Sequence, residues 1–249
     1  MSAVVALVTG GIGGLGTEMC KALSSQGRKV YANHLPGETD LALEWQKQLK
    51  TEGFEIELAA GDVADYDSCS AMISKIKEAS VSPVQILINC AGITRDASLK
   101  KMSKEFWDAV ISTNLNSLYN VTSQVVDEMT QSGFGRIVNI SSVNGQTGQF
   151  GQTNYSAAKA GVHGFTMALA RETARKGVTV NSISPGYIDT AMAKTVPEEI
   201  REQIVAQVPM ARLGEPEEIG YVVGFLCSDQ AAYITGANIP VNGGLHMEF

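Results

Sequence analysis

The sequence predicts one α/β domain in which a doubly wound, mostly seven-stranded parallel sheet carries helices on both faces. Two observations support this prediction. Short apolar runs alternate with helical segments from one end of the chain to the other, and a glycine-rich turn directly follows the first apolar run. No repeat, linker or low-complexity segment interrupts the 249 residues, so residues 1–249 are expected to form a single domain.

The first apolar run covers residues 3–9 and suits a strand that is buried on both faces. A helix is expected from about Leu15 to Gln26, with Gly27 as its end. The turn between them has the spacing TGxxxGxG and consists of Gly10, Gly11, Ile12, Gly13, Gly14, Leu15 and Gly16. Strand, glycine turn and helix form the first half of a Rossmann βαβ unit, whose helix N-terminus binds a pyrophosphate.

The second strand, residues 29–34, ends where dinucleotide-binding folds distinguish NAD from NADP. An acidic residue about 20 positions after the glycines binds the ribose 2′-hydroxyl and repels a 2′-phosphate. The expected position is Leu35, and residues 29–36 contain no Asp or Glu. This composition favours NADPH as the cofactor.

The remaining elements follow in alternation. Helices are expected at about 39–51, from Tyr66, at 104–132, from Asn154 and from Pro216, and strands at 55–60, 85–89, 136–141, 178–184 and 235–244. Residues 190–210 are charged, contain methionine and are punctuated by proline, which suits a substrate lid.

Composition excludes several functions. The net charge of −7 gives no electrostatic reason to expect nucleic acid or an anionic membrane as a partner. No apolar run is long enough to span a bilayer and the N-terminus lacks signal-peptide features, so we expect a cytoplasmic protein. The four cysteines and three histidines are scattered, which predicts reduced thiols and no metal site.

The segment between the fifth strand and the next helix contains the candidate catalytic residues. Tyr155 and Lys159 are four residues apart at the start of a helix and so leave the same face. A free phenol has a pKa of about 10, and a neighbouring cation that lowered it by roughly 3 units would contribute about 4 kcal/mol. The bare YxxxK pattern also fits an ordinary surface helix. Ser142, thirteen residues before Tyr155, favours an active site.

Ser142, Tyr155 and Lys159, together with TGxxxGxG, resemble the active site of the short-chain dehydrogenase/reductase family, and the resemblance extends from Thr9 to Gly244. It implies hydride transfer from C4 of NADPH to a ketone carbon. Tyr155 would be the proton donor, Lys159 would hold the nicotinamide ribose, and Ser142 would bind the substrate oxygen. Asn114 would hold a water molecule in a proton relay behind the lysine.

The resemblance also implies cofactor contacts outside the glycine turn. Asp62 with Val63 would bind adenine, although Asp62 also suits an N-cap of the helix near Tyr66. Two turns would contact the cofactor, namely Asn89, Cys90, Ala91 and Gly92 after the fourth strand, and Pro185, Gly186 and Ile188 after the sixth. Two positions depart from the family pattern: Cys90 replaces an asparagine, and Gly13 stands where many NADP-using relatives have arginine.

Within the family, several stretches are similar to reductases of 3-oxoacyl thioesters. Substrate contacts are expected from Asp96, Lys101, Gln149, Phe150, Gln152 and Tyr187, with solvated loop residues as the alternative for Asp96 and Lys101. An acyl-CoA thioester is the expected substrate, and an acyl-carrier-protein thioester is the alternative. A non-catalytic NADP-binding regulator would use the same fold. The resemblance further implies a homotetramer built on the helices from Lys104 and Asn154.

Overall fold

The seven predicted strands form one parallel sheet. The computed structural model describes residues 3–190 and 198–247. The strands are β1 (Val5–Val8), β2 (Lys29–His34), β3 (Ile56–Ala60), β4 (Val84–Asn89), β5 (Gly135–Ile140), β6 (Val178–Pro185) and β7 (Asn238–Val241). Their order is β3-β2-β1-β4-β5-β6-β7, and every pairing is parallel. The predicted doubly wound Rossmann fold is confirmed.

Helices cover both faces of this sheet. Within the described residues they are α1 (Gly14–Ser25), α2 (Thr39–Thr51), α3 (Tyr66–Ser80), α4 (Lys104–Ile111), α5 (Ser117–Thr122), α6 (Val126–Ser132), α7 (Val143–Thr147), α8 (Thr153–Thr173), α9 (Glu198–Val205) and α10 (Pro216–Leu226). None of the helices in these ranges has the length and apolar character that crossing a bilayer requires.

The core has two layers because successive side chains of a strand point to opposite faces. In β1, Ala6 and Val8 pack on one face with α1 and α10, whereas Val5 and Leu7 pack on the other face with α3, α6 and α8. All four side chains are buried. This two-sided burial explains why the strand is an uninterrupted apolar run rather than an alternating one.

The predicted continuous helix over residues 104–132 is wrong. A π-helical turn, Ser112–Asn116, separates α4 from α5, and α6 starts only at Val126. The side chain of Asn114 hydrogen-bonds the backbone of Ile93, outside the helix, and the wider turn lies at this contact. Sequence periodicity does not reveal such an interruption.

The strand order reverses beside β1, which places a crevice at the carboxyl edge of the sheet. The glycine turn after β1 and the turns after β4, β5 and β6 all reach this edge. Part of the predicted lid at 190–210, namely residues 191–197, lies outside the described residues. The described remainder contains α9 and Val208, which is buried.

A chain of buried polar side chains joins the middle strands to the helices behind them. Asn89 Nδ2 donates to Asn139 Oδ1 at 2.8 Å and to Thr122 Oγ1 at 3.2 Å. Asn139 Nδ2 in turn donates to Thr166 Oγ1 at 2.9 Å. Since buried polar groups are costly without partners, this chain fixes β4, β5, α5 and α8 relative to one another.

We predict that Asn139→Ala lowers the free energy of unfolding by about 3 kcal/mol, because the buried Asn89 amide loses the shorter of its two hydrogen bonds and the buried Thr166 hydroxyl loses its bond from Asn139. Urea unfolding measures the change. Gln48→Ala serves as the control because Gln48 is exposed on α2 and bonds only the exposed Glu52, so a loss below about 0.5 kcal/mol is expected. Equal losses in both variants would contradict the prediction.

Candidate active site

The carboxyl end of β5 and the start of α8 bring Ser142, Tyr155 and Lys159 together. Ser142 is the N-cap of α7, and its Oγ accepts from the amide of Asn144 at 3.1 Å. Its side chain also lies next to that of Tyr155, where it acts to lower the pKa of the phenol. The Nζ of Lys159 lies 5.6 Å from the centroid of the Tyr155 ring. The spatial grouping expected from the sequence is therefore present.

Lys159 is a buried cation. It is 4% exposed, and its Nζ donates to the carbonyl of Ile140 at 2.7 Å. Burial lowers the pKa of the ammonium to about 8, although the nearby Cys90 opposes this shift. Ser141 Oγ donates to the Lys159 carbonyl at 2.8 Å, so the backbone at Lys159 is also tied to the end of β5.

The pKa of Tyr155 differs from the expectation. Burial raises the pKa of the phenol above its usual value of 10.0, the neighbouring Ser142 side chain acts against this, and Cys90 and Asp96 add to the rise. The direction of this shift is opposite to the lowering expected from Lys159, because desolvation of the phenolate is the largest effect. Tyr155 consequently carries its proton at neutral pH, as a proton donor must.

Asn114 lies beside Lys159, but both polar atoms of its side chain hydrogen-bond to the backbone of Ile93. Its Oδ1 accepts from the Ile93 amide at 2.8 Å, and its Nδ2 donates to the Ile93 carbonyl at 2.9 Å. A Cβ on Gly92 would lie 3.4 Å from Asn114 Oδ1 and 3.5 Å from Lys159 Nζ, so the three residues meet at one point. Asn114 thus fixes the turn after β4, and its part in a proton relay stays a prediction.

The glycine turn is packed too tightly for side chains at two positions. A Cβ on Gly16 would lie 2.2 Å from the carbonyl oxygen of Gly10, and a Cβ on Gly11 would lie 2.7 Å from Ala32. Gly13 and Gly14, in contrast, are exposed at the start of α1, whose first turn carries no acidic residue. The turn therefore offers backbone N–H groups and a helix N-terminus that fit a pyrophosphate.

Two side chains secure the glycine turn, and sequence reasoning had assigned neither a role. Thr9 Oγ1 accepts from the amides of Cys90 at 2.9 Å and Ala91 at 3.1 Å. Asn33 Oδ1 accepts from the amide of Gly10 at 3.2 Å, and its Nδ2 donates to the Gly61 carbonyl at 2.8 Å. The available signal in the sequence was a polar residue near the end of each strand, Thr9 for β1 and Asn33 for β2.

The turn after β2 contains a carboxylate, that of Glu38, which lies outside the residues considered in the sequence analysis. Leu35 is half-exposed there, as a residue facing the adenosine ribose would be. The Oε2 atom of Glu38 accepts from the Leu35 amide at 3.4 Å. A negative charge therefore stands next to the position that distinguishes NAD from NADP.

Asp62 lies in the turn after β3, as expected, but it does not cap α3. Its Oδ1 accepts from the Ala64 amide at 2.9 Å, and the N-cap is Asp65, which accepts from Ser68 at 2.6 Å. The alternative assignment of Asp62 as N-cap is wrong. Val63 is buried, and its carbonyl accepts from Asn120 at 3.0 Å.

The turn after β4 begins at a buried residue, Asn89, and ends at an exposed one, Gly92. The side chain of Asn89 is buried in the polar chain described above. Burial raises the pKa of the Cys90 thiol to about 11, which keeps it protonated and unreactive. Ala91 lies against Gly10, where a Cβ would approach its Cα to 3.0 Å.

The turn after β6 is held by backbone contacts. A Cβ on Gly186, directly after Pro185, would lie 2.8 Å from Asn242 Cα, and Gly214 donates to the Tyr187 carbonyl at 2.9 Å. Tyr187 and Ile188 line a cavity of about 290 Å³ beside this turn. Its other lining residues come from residues 208–218 and from β7 and the turn after it, and Ser142, Tyr155 and Lys159 are not among them.

The predicted substrate residues separate into two groups. Gln149, Phe150 and Lys101 are exposed at the rim of the site, with Phe150 90% exposed. Gln152 and Asp96 bond to each other, since Gln152 Nε2 donates to Asp96 Oδ2 at 2.9 Å. No cluster of metal-ligating side chains occurs in residues 3–190 or 198–247.

Comparison with known proteins agrees with the fold. Residues 4–201 match the family model described as short chain dehydrogenase. The chain belongs to the short-chain dehydrogenase/reductase family, whose reactions use a nicotinamide cofactor.

Similar proteins cover the whole chain. It is 56% identical over 243 residues to the acetoacetyl-CoA reductase of Allochromatium vinosum, covering 98% of each chain. It is 53% identical over 247 residues to the acetoacetyl-CoA reductase of Cupriavidus necator, covering 99% of this chain and 100% of the relative. It is also 56% identical over 248 residues to nodulation protein G of Azospirillum brasilense, covering 100% of both.

Proposed function

We propose that this protein reduces acetoacetyl-CoA to (R)-3-hydroxybutyryl-CoA with NADPH, as the reductases that serve polyhydroxybutyrate synthesis do. The observation that carries the proposal is the grouping of Ser142, Tyr155 and Lys159, with a protonated phenol beside Ser142 and a buried ammonium 5.6 Å from the centroid of its ring. The full-length similarity to two acetoacetyl-CoA reductases supports the choice of substrate.

The residues of this chain supply position and a proton. The side chains of Ser142 and Tyr155 lie next to each other, so both hydroxyls can donate to the oxygen of one bound ketone. When bound, the nicotinamide cofactor supplies the hydride to the ketone carbon. Tyr155 then gives its proton to the forming alkoxide, and the positive charge of Lys159 stabilises the phenolate left behind.

The carrier of the acyl group is assigned from charge. An acidic carrier protein needs a basic docking face. Residues 130–134, just before β5, are neutral and the whole chain has a net charge of −7, so we propose coenzyme A. Arg175 and Lys176 are exposed after α8 and support the alternative, reduction of a 3-oxoacyl carrier-protein thioester. A regulator without turnover is disfavoured by the assembled Ser142, Tyr155 and Lys159.

We predict that Tyr155→Phe lowers kcat on acetoacetyl-CoA at least about a thousandfold, because the variant lacks the proton donor. NADPH affinity should stay within about threefold, since the ring is kept. Initial rates on acetoacetyl-CoA and on an acyl-carrier-protein thioester give kcat. Fluorescence titration gives the NADPH affinity. Tyr233→Phe is the control, because Tyr233 is fully exposed and remote from the site. Turnover within tenfold of the parent would refute the role of Tyr155.

The cofactor preference depends on Leu35 and Glu38. The lack of an acidic residue at position 35 supports NADPH, whereas the Glu38 carboxylate near the Leu35 amide opposes a 2′-phosphate and favours NADH. We propose NADPH as the cofactor, with a preference that Glu38 reduces.

We predict that Glu38→Gln raises the ratio of kcat/KM for NADPH to that for NADH by at least about fivefold, because roughly 1 kcal/mol of repulsion is removed. Steady-state rates with both cofactors give the ratio. Glu44→Gln makes the same charge change on the exposed face of α2 and should leave the ratio unchanged. An unchanged ratio in Glu38→Gln would exclude Glu38 from the cofactor site, and a parent preference for NADH would overturn the assignment of NADPH.

We propose a homotetramer built on the helices from Lys104 and Asn154. Small residues on α8 permit close approach, and Ala157, Ala160, Gly164 and Ala168 are exposed for it. Ala158 belongs to the chain's own core, so it is not part of this surface. Phe106 and Met167 add exposed apolar area nearby.

Light scattering at micromolar concentration should give about four times the 26.5 kDa mass of the chain. In the variant Ala160→Glu, which places a charge on this surface, the mass should fall. A monomeric mass for the parent protein would refute the proposed assembly.

A further inference from the structure

A line of hydrogen bonds crosses the substrate end of the site from the loop after β4 to Ser142. Gln152 Nε2 donates to Asp96 Oδ2 at 2.9 Å, and Gln152 Oε1 accepts from Asn144 Nδ2 at 2.9 Å. The backbone amide of Asn144 donates to Ser142 Oγ at 3.1 Å. Both ends of the Gln152 carboxamide therefore bond to protein groups, and the line ends on the serine hydroxyl.

A second set of contacts runs parallel to the first and ends on Tyr155. Asn154 is fully buried, and its Nδ2 donates to the carbonyl of Arg95 at 3.1 Å. Its Oδ1 accepts from the amide of Tyr155 at 2.8 Å. The amide of Ala97 also donates to the Gly151 carbonyl at 2.9 Å. The loop of residues 93–101 is thus tied to the segment between Ser142 and Tyr155.

The segment between these ties has little support of its own. Gly148 and Gly151 both adopt the left-handed conformation, with φ of 73° and 81°. Gln149 and Phe150 lie between them and are exposed. Since glycine restricts the backbone least, the position of this segment is set at its ends, and Gln152 provides the side-chain contacts at one end.

We propose that Gln152, anchored by Asp96 and Asn144, is a positioning residue that sets the separation of the Ser142 and Tyr155 hydroxyls. Gln152 and Asp96 then act through each other instead of contacting the substrate separately, which revises the role expected for them from the sequence. This inference rests on the proposed reductase function. Its physical basis is that catalysis falls steeply when reacting groups are displaced by about 1 Å.

The kinetic test uses Asp96→Ala, Gln152→Ala, the double variant and Asp96→Asn. Each single alanine variant should lower kcat on acetoacetyl-CoA about tenfold, with KM for acetoacetyl-CoA within about twofold of the parent. The double variant should be no more than about threefold slower than the slower single variant, because one contact is broken in all three. Asp96→Asn should recover most of the lost kcat, since its amide oxygen still accepts from Gln152.

The proposal is overturned if the single alanine variants raise KM at least about fivefold with kcat unchanged, as separate substrate contacts would. It is equally overturned if the losses multiply in the double variant, or if Asp96→Asn behaves as Asp96→Ala does.

Hydrogen exchange gives a readout that is independent of turnover. In Asp96→Ala and Gln152→Ala, the amides of α7 should exchange at least about fivefold faster, while those of β1 should keep their parent rates. Asp127→Ala is the matched control, because it removes an exposed carboxylate on α6, away from this site. Unchanged exchange in α7 would overturn the positioning role, whereas a parent protein inactive on thioesters would instead refute the proposed function.

Discussion

The burial of one ammonium group governs the architecture around the site. Lys159 is enclosed at the crossing of β5 and α8, and a buried cation needs a hydrogen-bond acceptor. The carbonyl of Ile140 is that acceptor, at 2.7 Å. Close packing encloses the lysine further, because a Cβ on Gly145 would lie 2.7 Å from the Lys159 carbonyl carbon. Substitution of small residues around Lys159 should therefore disturb the charge of the site as well as its shape.

Burial shifts the pKa values of Lys159 and Tyr155 in opposite directions. Burial disfavours the charged form of any group, so it lowers the pKa of Lys159 to about 8 and raises that of Tyr155. A cation beside a phenol would lower the phenol pKa in water, but here desolvation is the larger effect. At neutral pH the lysine remains mostly charged and the tyrosine keeps its proton, which is the combination that ketone reduction requires.

Rigid and adaptable parts of the site are separated in space. The buried polar chain through Asn89 and Asn139 and the bonds of Asn114 to Ile93 hold the carboxyl ends of β4 and β5 and the turn after β4. The exposed tip at Phe150, in contrast, is bounded by glycines. This division allows catalytic hydroxyls to stay fixed while the rim accommodates the acyl group and its carrier.

The sequence by itself determined the order and kind of nearly all elements, because periodicity and glycine spacing are local properties. Helix α2 spans Thr39–Thr51 and strand β2 spans Lys29–His34, as predicted. The shared face of Tyr155 and Lys159 also follows from local helix geometry. The tertiary structure decided the rest: the π-helical turn at Asn114, the approach of Glu38 to Leu35, the pairing of Gln152 with Asp96 over 56 residues, and the direction of the Tyr155 pKa shift. These features arise from burial and from contacts between segments distant in sequence, which no local pattern encodes.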